Sequence, residues 1–102
     1  MQIEKNVKIN PELLHELKYN TIEEAGLDML YLTAKAKLSE YREEESSYER
    51  KYGMSFAEFT SMVETKLNQE SFEEEDDLMA WRFAHENAQY WKEKVQELEH
   101  CF

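Results

Sequence analysis

Glycine occurs only twice in this chain and proline once. Strand-rich domains need turn residues about every 8 to 12 positions, so that scarcity argues against an all-β or α/β architecture and leaves helix. Cysteine is represented by Cys101 alone. No internal disulfide can form, and a cysteine-based zinc site lacks ligands. No apolar run approaches the ~18 residues of a membrane-spanning helix, and no basic, apolar, small-residue leader is present. A cytoplasmic protein without membrane contact is expected. Positive charge is also short: 12 Lys and Arg stand against 23 Asp and Glu, for a net charge of −11.

What is present is apolar and aromatic. Hydrophobic residues make up 41% of the chain, with Phe 5, Tyr 6 and Trp 2. That is too much for a disordered acidic tail. At 102 residues the chain reads as one helical domain over 1–102, small enough that its helices invite a second subunit to cover them. A homo-oligomer, most simply a dimer, is expected.

Two runs step by three or four, the repeat of a helix face. The first is Leu27, Tyr31, Ala34, Leu38, Tyr41, Glu45, Tyr48, Tyr52, and the second Trp81, Ala84, Ala88, Trp91, Val95, Leu98, Phe102. Only Glu45 is polar and charged among these seam positions, and it is read as marking where the seam is uncovered. The repeat does not say whether the seams face their own chain or a copy. Met79, Phe83 and Tyr90 fall on other faces of the last helix, so more than one of its surfaces wants cover.

The pattern divides the chain into 1–26, an N-terminal arm and short helix; 27–52, a long helix of ~39 Å at 1.5 Å per residue; and 53–102, an acidic helical hairpin. Residues 2–9 alternate weakly, with Ile3, Val7 and Ile9 on one side, as in a short strand or arm. Asn10 then caps a helix with Pro11 at its first position, expected to reach about Tyr19. Thr21 and Glu24 have capping-box spacing. Whether Gly26 interrupts the helix that follows stays open, because an internal glycine costs only about 1 kcal/mol. Gly53 ends the long helix. Ser55 and Glu58 open the next as a capping box, with Met54 placed to pack on Phe59. That helix is expected from Phe56 to about Asn68, and the last from about Asp76 to Glu99 after an acidic link. The fold class is all-α, with three to four helices.

Charge is unevenly placed. Residues 1–42 hold six bases and seven acids, a net −1; residues 43–102 hold six and sixteen, a net −10. The second half repels nucleic acid and membrane phosphates and attracts a basic protein surface. Glu73, Glu74, Glu75, Asp76 and Asp77 form the candidate acidic surface and complement a helix N-terminus. A calcium site would need ligands alternating around a glycine turn, which this run lacks. Glu12 and His15 have the Glu-x-x-His spacing of di-iron bundles, which need that motif twice on facing helices plus two further glutamates. His85 and His100 have no serine, cysteine and acid arrangement around them. No metal, no cofactor and no enzymatic role are expected.

Tyr31, Tyr41, Tyr48, Tyr52, Trp81 and Trp91 would make a base-stacking platform only in a basic groove. In acidic surroundings they read, with Val95 and Leu98, as core or protein-interface anchors.

Residues 48–98 resemble a family of small prokaryotic proteins suspected to be antitoxins of type II toxin–antitoxin modules. The likeness is carried by Lys51, Tyr52, Gly53, Met54, Ser55 and Phe56 with Glu58 and Phe59, an acidic link, and then Asp76, Asp77 and Trp81. The resemblance implies an acidic protein that binds and silences a small basic toxin, often an RNA-cleaving one. The N-terminal part resembles ribbon-helix-helix antitoxins in a short strand, Val7 to Ile9, a helix Pro11 to Ala25 and a turn at Gly26. That pattern implies base contacts from Gln2, Asn6 and Lys8, but Glu4 lies on the same side and the region has no net positive charge. Nucleic acid is expected to bind through the N-terminal arm if at all. The expected function is antitoxin-like inhibition of a small basic partner; the alternative is a self-assembling dimeric scaffold or adaptor with no toxin partner.

Overall fold

A computed structural model describes residues 9–66 and 71–102. Its helices are α1 (Pro11–Glu16), α2 (Ile22–Tyr52), α3 (Phe56–Thr65) and α4 (Phe72–Glu99), with no strand among the described residues. The all-α class stands. Most of the proposed strand, and with it Gln2, Asn6 and Lys8, lies outside the described residues; Ile9 is in no regular element.

Local chemistry sets each boundary. Asn10 accepts from the Glu12 N–H at 3.0 Å, and Pro11 occupies the first turn of α1. The helix is shorter than expected because Lys18 takes a left-handed φ of 67°, which no helix continues through. Thr21 Oγ1 accepts from the Glu24 N–H at 3.0 Å, and the Glu24 carboxylate accepts from the Asn20 N–H at 2.9 Å. These caps start α2 at Ile22, so the helix runs through Gly26 rather than beginning after it. The helix Pro11 to Ala25 and the turn at Gly26 drawn from the ribbon-helix-helix likeness are therefore corrected: the chain turns between Glu16 and Ile22. A cost of about 1 kcal/mol for one internal glycine is small against a helix of 31 residues.

Gly53 closes α2 at φ 64°, its N–H donating to the Glu49 carbonyl at 2.7 Å. Both bonds of the Ser55–Glu58 capping box are formed, and Met54 packs against the Phe59 cluster. α3 ends at Thr65, earlier than Asn68. α4 begins at Phe72, four residues before Asp76, because Ser71 Oγ accepts from the Glu74 N–H at 3.3 Å. Much of the expected link is thus the first turn of a helix, where Glu73, Glu74 and Glu75 meet its positive end.

α4 packs chiefly on α2, in antiparallel fashion: Tyr31 meets Phe102 at one end, and Tyr52 meets Trp81 at the other. The two seams therefore face each other within one chain. α3 lies across the end where the chain turns, and its contacts with α4 make the C-terminal hairpin the lesser packing unit. The radius of gyration, 20.5 Å, exceeds the ~13 Å of a compact domain of this length. Such a rod keeps much of its helix surface uncovered.

Candidate protein-binding surface

At the turn end, α3 closes a core around Trp81 and Phe59, both 0% exposed, with Leu78 beside them. Tyr48 and Phe59 stack on the Trp81 ring at centroid distances of 5.6 and 5.3 Å. Trp81 Nε1 donates to Glu45 Oε2 at 3.2 Å, and His85 Nδ1 lies 2.8 Å from the same oxygen. Glu45 does not mark an uncovered seam: it is the polar pin of the seam, accepting the indole N–H that burial would otherwise orphan. The His85 ring stacks on Phe56 at 4.6 Å, which ties α3 to the same pin.

Beside this core, Asp77 accepts from Lys51 at 2.6 Å and from the Tyr52 hydroxyl, while Lys51 also reaches Glu73 at 2.8 Å. Burial and the Asp77 hydrogen bond push the Tyr52 phenol up to about 12. Burial works to raise the Asp77 carboxyl, but the Lys51 and Tyr52 hydrogen bonds outweigh it and hold it below the usual carboxylate range. The Lys51 ammonium, bonded to two carboxylates, is raised well above an ordinary lysine.

At the other end of the hairpin, the buried cluster among the described residues comes from α2 and α4 alone. Ala34, Leu38, Ala88 and Val95 are buried there, with Tyr31, Tyr41, Trp91 and Leu98 packed half-buried around them. Trp81 and Val95, expected as interface anchors, are buried in their own chain and unavailable to a partner while the fold is intact. Apolar side chains that sequence reasoning left out of the candidate set stand exposed instead: Leu13, Leu17, Ile22, Met29, Leu30 and Leu32 toward the N-terminus, and Phe72, Met79, Phe83 and Tyr90 along α4. An open groove of about 240 Å³ runs between Leu30 and Ala34 of α2 and Tyr90, Trp91 and Leu98 of α4.

The acidic run divides by direction. Glu73 and Asp77 pair with Lys51, and Glu74 with Lys66 at 2.7 Å. Glu75 and Asp76 are exposed and form no ion pair among the described residues. Lys35, Arg42 and Lys92 line a groove on another side of the hairpin. Among the described residues, no group of three His, Cys, Asp or Glu is placed to hold a metal, and no helix is long and apolar enough to cross a membrane. The chain matches no family model, no curated protein and no solved structure.

Proposed function

We propose that the protein is a binding inhibitor of the antitoxin type, which neutralises a small basic partner by covering it with helix. One observation carries this reading: a chain of net charge −11 leaves large apolar side chains exposed on both long helices. Exposed apolar side chains grouped within polar surroundings mark interaction surfaces, and the surplus negative charge accelerates encounter with a basic protein. The partner-binding anchors are then exposed residues such as Leu30, Leu32 and Tyr90, not the seam.

The test is reconstitution. The tagged chain is used to isolate a stoichiometric partner from its native cell, and the partner's own activity is measured with and without added chain. A small basic protein whose activity is suppressed at one-to-one stoichiometry is the expected result. Recovery of the bait alone as a defined oligomer overturns it in favour of the second reading, a dimeric scaffold, which the open two-helix end also supports.

A further inference from the structure

Phe72, Met79, Phe83 and Tyr90 are 75%, 68%, 58% and 50% exposed. Their spacings of seven, four and seven residues bring all four within about 20° of one line along α4 at 3.6 residues per turn. The stripe extends about 27 Å, long enough for a helix of about 18 residues to lie along it. The α2 seam occupies another face of the same helix, and the stripe meets it only at its flank, where Phe83 packs edge-on against Tyr41 at 5.9 Å and Tyr90 borders the groove with Leu30 and Ala34.

The charges beside the stripe on α4 are mostly negative. Glu75, Asp76, Glu86 and Glu93 lie within about 60° of it by the same helical geometry. All four are exposed, and none forms an ion pair among the described residues. Within α4, Lys94 is the only cation as close; it pairs with Glu97 at 3.3 Å and lies over the Tyr90 ring at 5.2 Å. By contrast Glu73, Glu74 and Asp77, which point away from the stripe, are neutralised by Lys51 and Lys66.

We infer that the outer face of α4 is a docking site for a basic amphipathic helix, whose apolar side covers Phe72, Met79, Phe83 and Tyr90 and whose Lys or Arg residues meet Glu75, Asp76, Glu86 and Glu93. Apolar anchors at helical spacing are the ordinary way one helix seats another, and an unpaired acidic rim selects a cationic partner. A second copy fits less well. A two-fold axis beside position 81 pairs Phe72 with the copy's Tyr90, but it also sets Asp76 against the copy's Glu86, and like charges repel.

This inference deepens the inhibitor reading by naming the face and the partner's chemistry. Its probe is a fluorescently labelled peptide of about 18 residues built from Leu and Lys in helical pattern, titrated with the full chain and followed by anisotropy. A Leu–Glu peptide of the same pattern is the charge control. Expected is saturable binding of the Leu–Lys peptide alone, weakened by salt and by neutralising Glu75, Asp76 and Glu86. Met79→Glu with Phe83→Glu should weaken it at least about tenfold, with the circular dichroism unchanged because both positions are exposed. Met29→Glu, exposed on the side of α2 away from α4, should leave binding intact.

Equal binding by the Met79→Glu, Phe83→Glu chain, or none by the parent, overturns the site. So does sedimentation of the parent as a dimer that the double variant converts to monomer, which assigns the stripe to a second copy. The two readings fail separately. Peptide binding without any inhibited cellular partner removes the inhibitor function, and an inhibited partner indifferent to the stripe substitutions removes this site.

Discussion

The two ends of the α2–α4 hairpin are built on the same three-four repeat, yet one is closed and the other open. At the turn, α3 adds a third wall, and Phe59 and Trp81 are completely buried. About 20 Å along the rod, Ala34 and Leu38 meet Ala88 and Val95 with no third helix over them among the described residues, so Tyr31, Tyr41, Trp91 and Leu98 are only half-covered. Two helices enclose a seam; a third is needed to enclose a core. The turn end specifies the fold, while the open end and the outer face of α4 keep large apolar side chains exposed.

Truncation should separate the ends most clearly. Trp81→Ala removes the fully buried ring on which Tyr48 and Phe59 stack, and should cost about 3–5 kcal/mol in urea denaturation. Leu38→Ala at the open end should cost about 2 kcal/mol, the bottom of the range for such changes, because a seam beside solvent can relax. Equal losses at the two positions would erase the distinction.

Much of this was legible in the sequence. The two repeats, the left-handed Gly53 and the Ser55–Glu58 box are local signals, and each appears where the spacing places it. What escaped is non-local or weak. Ser71 as a cap was hidden by the acidic run after it, which reads as a link until its N-terminal position makes it helix-favouring. Glu45 looked like a seam defect because its partners, Trp81 and His85, lie 36 and 40 residues away. The seam residues pack against one another, but periodicity is silent on whether two matching stripes meet in one chain or in two. The exposed stripe from Phe72 to Tyr90 was only partly visible, because Phe72 appeared to lie outside the helix.

The polar pin sharpens the comparison at the next level of effect. Glu45→Ala leaves the Trp81 indole N–H without its acceptor and should cost about 1–2 kcal/mol, whereas Glu45→Gln, which keeps an acceptor, should cost less. Thermal melts of the two variants distinguish a pin from a mere surface carboxylate; identical melts would remove the pin. Gly53→Ala should follow at about 1 kcal/mol. The space around Gly53 is open, so this loss comes from the positive φ alone.

The smallest expected effect is one of pH, and it too belongs to the closed end. Tyr52 and Lys51 are raised in the fold, so their contribution is complete below their unfolded values and is lost as pH climbs, for Tyr52 from about 10 to about 12. Asp77 is depressed, so its contribution is complete above its unfolded value near 4 and is lost as acid protonates it through its lower folded value. Asp77→Asn should therefore flatten the stability profile at both extremes and let the Tyr52 phenol ionise nearer 10. The difference in tyrosinate absorbance between the parent and Tyr52→Phe isolates that phenol among the six tyrosines. A transition unmoved by Asp77→Asn would leave burial as the sole cause of the shift and detach Asp77 from the closed end's stability.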